Sequence, residues 1–256
     1  MKQHIEDLIN FEIQKDVIEK RDYNYVKNQL YQLLNLTIDK NDKFKPRKIK
    51  YPSDALDPIL DILVKNKVID DNISSRDSFD TKIMNVFVKL PSVINHRFDI
   101  MSFRECRFAA NWFYAYSKNT NYIRTNRILK NKYFKGDSKY GDLEVTINLS
   151  KPEKDPKEIA LALKNSTLTY PPCVLCLENE GFPGNFKFEA KDNHRIVDIE
   201  INKSPWYFQF SPYTYYNHHS IVFSEKHIPI YFFWLLNSKI IFLVLTLIFQ
   251  LLAVQF

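Results

Sequence analysis

Apolar residues return every three or four positions through the first 118 residues, and every second position over much of the rest. The first spacing is that of helices with one buried face, the second that of half-buried strands. Ile5, Leu8, Ile9, Ile13 and Val17 predict a first helix. Asp22 can cap a second, with Val26, Leu30, Leu33 and Leu34 on one face. A basic, proline-bounded linker follows over residues 41–52. Ser53 can cap a third helix carrying Leu56, Ile59, Leu60 and Leu63. Phe79, Ile83, Val86, Phe87 and Leu90 predict a fourth, stopped by Pro91. Residues 92–117 read as two more helical segments, rich in aromatics at Phe108, Trp112, Phe113, Tyr114 and Tyr116. Packing into a core is the simple reading of that cluster, and stacking on bases the other. Cys106 falls inside it and is expected as a small buried apolar residue.

Past residue 118 the period changes. Leu143, Val145, Ile147 and Leu149 alternate with polar residues, which predicts a half-buried strand over 143–149. A charged, proline-broken turn at 150–156 leads to a helical pattern over 157–164. Further strands are expected at 206–210 and Ser220–Ser224. The fold class is therefore α+β: residues 1–118 mostly helix, and residues 140–227 containing an antiparallel sheet.

Composition removes several function classes. The 256 residues suffice for one large domain or two small ones. The net charge of +6 suits an anionic ligand but also an ordinary solvated surface. The glycines stand only at 136, 141, 181 and 184, which excludes a Walker loop and a dinucleotide fingerprint. A phosphate must then be held by side chains, a helix start or a metal. Three cysteines and no secretory signal point to a reducing compartment.

The candidate chemistry is concentrated between Tyr170 and Pro229. Cys173-Val-Leu-Cys176 places two thiolates at one corner of a tetrahedral metal, and His227 is a natural nitrogen partner. A redox Cys-x-x-Cys and an ordinary strand-edge His are the competing readings. No helix pattern after Cys176 favours a redox thiol.

Six strings carry a resemblance. They are Thr120-Asn-Tyr-Ile-Arg-Thr125, the run from Tyr140 to Pro156, Cys173-Val-Leu-Cys-Leu-Glu-Asn179, Asn193-His-Arg195, Trp206-Tyr-Phe-Gln-Phe-Ser-Pro-Tyr213 and Phe223-Ser-Glu-Lys-His-Ile-Pro229. The chain resembles the type 2 UDP-glucose–hexose-1-phosphate uridylyltransferases from its first helix to about Pro229. The resemblance implies a sheet related to the histidine-triad fold, incomplete at the C-terminus. It implies transfer of a uridylyl group from UDP-glucose to galactose 1-phosphate through a uridylyl-histidine intermediate. It implies zinc ligands at Cys173, Cys176 and His227, and no organic cofactor. Ser211, Pro212, Tyr213, Tyr216 and Asn217, with Asn193 and Arg195, fall where relatives line the substrate. The implied setting is cytoplasmic galactose metabolism, without nucleic acid partners and without a membrane unless the C-terminal tail is genuine, by an enzyme that is a homodimer in intact relatives. Two departures stand out. Phe186-Lys-Phe-Glu-Ala-Lys191 replaces a His-Pro-Ala-Arg string, and His218 replaces a usual acidic residue.

The resemblance stops near Pro229. Residues 240–256 are uncharged, with Gln250 and Gln255 the polar exceptions, which by itself reads as a short membrane-anchor candidate. A second reading uses codons. Written in permitted codons and read from the third base, residues 241–256 give Phe-Leu-Gly-Ser-Asn-Ala-Asp-Leu-Pro-Ile-Val-Gly-Gly-Ser-Ile. Relatives carry that string directly before their His-x-His. The expectation is a frameshift between about residues 230 and 238. The regions are then 1–135, mainly helical; 136–230, the strand-rich part of the transferase domain; and 231–256, an out-of-frame tail. A chain without His-x-His is expected to be an inactive nucleotidyltransferase. The alternatives are a non-catalytic nucleotide-sugar binding fragment and a tail-anchored membrane protein.

Overall fold

The computed structural model describes residues 1–37, 43–151, 175–185, 188–214 and 216–226. Helices come first: α1 (Lys2–Gln14), α2 (Tyr23–Leu33), α3 (Ser53–Lys65), α4 (Ile73–Asn85), α5 (Pro91–Arg104), α6 (Cys106–Asn119) and the short α7 (Thr125–Ile128). Five strands follow: β1 (Lys132–Gly136), β2 (Leu143–Ile147), β3 (Val197–Ile201), β4 (Ser204–Phe210) and β5 (Ser220–Ser224). The α+β reading holds, as do the strands expected at 143–149, 206–210 and Ser220–Ser224. The strands form two separate antiparallel sheets, a β1–β2 hairpin and a meander ordered β3-β4-β5. The helical pattern at 157–164 and the tail lie outside the described residues.

One apolar core joins the helices to the meander. Trp206, Phe208 and Phe210 alternate along β4 and are all buried. Phe113 of α6 is fully buried against them, its ring 6.1 Å from Phe208 and 5.5 Å from Phe210. Phe98 of α5 closes the cluster 6.0 Å from Phe113. The aromatic run is thus core, except that Phe108 is exposed. Asn95 of α5 ties the helix to β3: its amide donates to the Ile196 carbonyl, and its oxygen accepts from the Asp198 N–H. Asn202 and Lys203 turn β3 into β4 with both residues left-handed, at φ 52° and 61°. That is the geometry a two-residue hairpin turn demands.

Four local expectations need correction. Asp22 precedes α2, but its carboxylate accepts from the Glu19 N–H, closing the 3₁₀ turn before the helix. Ser53 is the first helical residue of α3, and the Asp54 carboxylate receives the Lys50 and Tyr51 N–H groups instead. α4 ends at Asn85, short of Leu90, and Pro91 opens α5 where its missing N–H costs nothing. Cys106 is exposed because it starts α6 on the solvent side of a corner.

A cap that the spacing did not reveal is Asn72. Its side-chain oxygen accepts the Ser75 N–H at 2.7 Å and starts α4. Asn72→Ala should lower stability by about 0.5–2 kcal/mol, read from urea melts followed by circular dichroism.

Candidate functional site

α4 forms one wall of a cleft of about 760 Å³. The loop before α4 contributes Lys67, the α6–α7 turn contributes Tyr122 and Arg124, and the segments at 183–185, 188–191 and 212–213 form the far wall. The first turn of α4 lines the cleft at Ile73, Ser74 and Ser75. A 13-residue helix presents partial positive charge there. Lys67, Lys82 and Lys191 add cationic lining, and Asp70, Asp77 and Glu189 add carboxylates.

A charge network runs from the lining into the wall behind it. Asp77 and Asp80 sit three residues apart on one face of α4, and Arg124 and Arg127 are spaced likewise around α7. Arg127 donates to Asp77 at 2.9 Å, and Arg124 donates to the same carboxylate at 3.1 Å. Arg124 also stands 3.7 Å from Asp80. Asn121, left-handed at φ 55°, gives its amide to both Asp80 oxygens at 3.1 and 2.9 Å. Burial pushes the Asp80 carboxyl up to about 6, against the pull of Arg124. A buried acid titrating near neutrality beside a cleft is a recurrent property of functional sites.

Three of the expected substrate residues meet in this cleft. Asn193 is buried; its amide donates to the Thr120 carbonyl at 2.8 Å, and its side-chain oxygen has no hydrogen-bond partner among the described residues. Ser211 folds the β4 end into a turn, its hydroxyl oxygen accepting the Tyr213 N–H at 3.2 Å. Pro212 and Tyr213 thereby reach the cleft wall. The Tyr213 hydroxyl donates to Glu189, and burial with that carboxylate pushes its pKa up. Ser211 itself is buried behind the turn.

The other expected residues lie elsewhere. Arg195 is turned inward, donating to the carbonyls of Lys89, Asp192 and His194 and to the Asn85 side chain. In that position it fastens β3 to the end of α4 rather than lining the cleft. Tyr216 and Asn217 are exposed on the turn before β5, with the Tyr216 ring 5.0 Å from His219. His218, in place of an acidic residue, packs on Tyr114 at 4.1 Å between ring centres. Cys176 is half-buried. Cys173 and His227 lie outside the described residues. Among the described residues, no group of three His, Cys, Asp or Glu could hold a metal ion.

The reading from spacing missed Asp77, Asp80, Arg124, Arg127 and Glu189. The matching three-residue spacings at 77/80 and 124/127, opposite in charge, were the available signal. It also missed His194, fully buried and stacked on Tyr122 at 4.3 Å; burial holds its imidazole pKa well below the usual range.

Gly184 fixes the far wall. Its φ of 83° suits glycine, and a Cβ there would sit 2.8 Å from the Ala190 nitrogen. Gly184→Ala should cost about 1–2 kcal/mol from the left-handed backbone alone and should weaken any ligand of this cleft. A thermal melt with and without UDP-glucose would register both effects.

Among the described residues, no helix is long and apolar enough to cross a membrane. The fold and cleft define an α+β protein with a cleft lined by charges of both signs between a helical and a strand-rich part. The family described as "Galactose-1-phosphate uridyl transferase, N-terminal domain" matches residues 16–229, and the chain belongs to that family. Its homologues carry the name of a nucleotidyltransferase. A galactose-1-phosphate uridylyltransferase of Fusobacterium nucleatum subsp. nucleatum is 44% identical over 223 residues, covering 87% of this chain and 44% of the relative. One from Clostridium perfringens strain 13 is 41% identical over 228 residues, with 88% and 45% covered. One from Clostridium acetobutylicum is 43% identical over 229 residues, also with 88% and 45% covered. The chain thus spans less than half the length of these relatives. No solved structure matches.

Proposed function

We propose that this chain binds UDP-glucose in the α4 cleft and supplies the nucleotide-sugar side of uridylyl transfer to galactose 1-phosphate. The observation that carries the reading is the meeting of Asn193, Pro212 and Tyr213 with Arg124 in one cleft. Each comes from a string shared with the uridylyltransferases. Lys67, Lys82, Lys191 and the start of α4 suit the diphosphate, because a helix N-terminus and cations both stabilise phosphate. The buried Asn193 oxygen suits a hydroxyl or N–H donor from the ligand.

Chemistry needs more than this cleft. A histidine is the expected nucleophile, because imidazole attacks and leaves well near neutral pH. The chain's histidines at 4, 96, 194, 218, 219 and 227 form no His-x-His. His194 is fully buried on Tyr122. His218 is left-handed at φ 60° and packed on Tyr114, so the pair 218–219 is not set out as two ligands or two acids on one face. The 256 residues alone therefore bind without turning over. Zinc at Cys173, Cys176 and His227 is part of the same proposal, supported by the spacing of the thiols. An exposed free thiol at Cys106 fits a reducing, cytoplasmic setting.

Radiolabel transfer from UDP-glucose to galactose 1-phosphate tests the reading. Transfer is expected from a version extended with the relatives' His-x-His region and not from the 256 residues. Activity in the shorter chain would remove the nucleophile argument. Inactivity of the extended, folded version would remove the assignment. Metal analysis of both should find zinc near one equivalent, and none in a Cys173→Ser, Cys176→Ser double variant.

A further inference from the structure

Glu189 puts a carboxylate into a cleft otherwise suited to phosphate. It lines the cleft and is exposed there, on the segment that forms the far wall. That segment is fastened on both sides of it. The Asn185 N–H donates to the Phe188 carbonyl at 2.9 Å, and the Phe188 N–H donates back to the Asn185 side-chain oxygen at 2.8 Å. The Lys191 N–H donates to the Phe182 carbonyl at 2.7 Å. Glu189 falls within residues 186–191, where this chain departs from the strings of the resemblance, so the resemblance gives it no role.

The carboxylate is held as well as its backbone. The Tyr213 hydroxyl donates to Glu189 Oε2, and Tyr213 is itself set by the Ser211 turn. The charge of Arg124 acts on both groups, but its guanidinium donates to Asp77. The second Glu189 oxygen holds no hydrogen bond among the described residues.

A carboxylate only accepts hydrogen bonds, and it repels phosphate oxygens. In a phosphate-binding cleft it needs a ligand group that donates. Sugar hydroxyls are such groups, and a hydrogen bond to an ionised acceptor is about twice as strong as a neutral one. Asn193 supplies a second acceptor in the same cleft, its buried side-chain oxygen unpartnered among the described residues. Two fastened acceptors suit a polyhydroxylated ring rather than a phosphate.

We propose that Glu189, held by Tyr213, accepts a hydroxyl of the ligand's sugar and so sets the cleft's preference for sugar nucleotides over plain phosphates, a role that rests on a nucleotide-sugar occupying this cleft. A site that hydrogen-bonds a hydroxyl discriminates against analogues lacking it. Ribose and hexose both offer that hydroxyl, and the chemistry at Glu189 is the same for either.

The test is calorimetric titration of the 256-residue chain and its Glu189→Ala and Glu189→Gln variants with UDP-glucose, UDP, 2′,3′-dideoxy-UDP and pyrophosphate. Glu189→Ala should weaken UDP-glucose at least tenfold and leave pyrophosphate unchanged or tighter, because a repelling charge is gone. Glu189→Gln keeps an acceptor and should lose less. A loss shared by UDP and absent with the dideoxy analogue puts the hydroxyl on the ribose. A loss confined to UDP-glucose puts it on the hexose. Glu189 is exposed, so equal thermal melts are expected and serve as the folding control. Undiminished UDP-glucose binding by Glu189→Ala would overturn the proposal. So would an equal loss for UDP and its dideoxy analogue, since the contact would then be to the base or the damage general. A parent chain that binds no UDP-glucose would remove the cleft reading itself, and this role with it.

Discussion

Arg124→Ala should destabilise the chain by about 3–5 kcal/mol, the range for removing one partner of a buried charge pair. The guanidinium is largely buried between Asp77 and Asp80, its side chain 13% exposed, and its removal leaves two carboxylates facing Arg127 and Asn121. Asp80 is the group most exposed to the loss. Its carboxyl already titrates near 6 through burial, and Arg124 is the leading influence holding it down. The variant should therefore raise that pKa further, visible as a shifted carboxyl resonance in a pH titration by NMR. Arg124→Lys keeps a charge without the planar fork and should lose less. Because Arg124 also lines the cleft, UDP-glucose binding should weaken in both variants. A chain whose stability is indifferent to Arg124→Ala would show that the network is ornamental.

Glu12→Gln should stabilise the chain at pH 8, by on the order of 1–3 kcal/mol, and change little at pH 4. Three acids of α1 are buried, and two have partners. Glu6 meets Lys27 at 2.6 Å, and Asp7 meets Arg47 at 2.6 Å. Glu12 follows Ile5, Leu8 and Ile9 on the core side and has no hydrogen-bond partner for either oxygen among the described residues. Burial raises its pKa well above 4.5. The folded chain then holds a proton that the unfolded chain releases. This group's contribution to stability is complete below about pH 4.5 and is lost as pH rises through the folded pKa. Glutamine cannot ionise, so the gap between variant and parent should widen from pH 4 to pH 8. Urea melts at both pH values measure it; an equal gap at both would show that Glu12 finds a partner or stays charged.

Periodicity located the helices because each buries one stripe, as at Ile5, Leu8 and Ile9 or Leu56, Ile59 and Leu60. Alternation located β2, β4 and β5 for the same reason. Ends of elements were less legible. Asp22 and Asp54 serve neighbouring turns rather than the helices they precede or open, since side-chain oxygens take whichever N–H groups the chain path offers. The site was legible where the resemblance quoted strings, at Asn193, Pro212 and Tyr213. Arg195 shows the limit of that transfer, because a guanidinium spent on four protein oxygens cannot be recognised from its neighbours in sequence. The Asp77–Arg124–Arg127 network joins residues about fifty positions apart and needed the fold to bring it together.

Calorimetric titration of UDP-glucose into the 256-residue chain tests the central claim most directly. Saturable one-to-one binding is expected, competed by UDP and weakened at least tenfold by Tyr213→Ala or by Arg124→Lys. No binding by the folded chain, or binding that neither cleft variant changes, would contradict it.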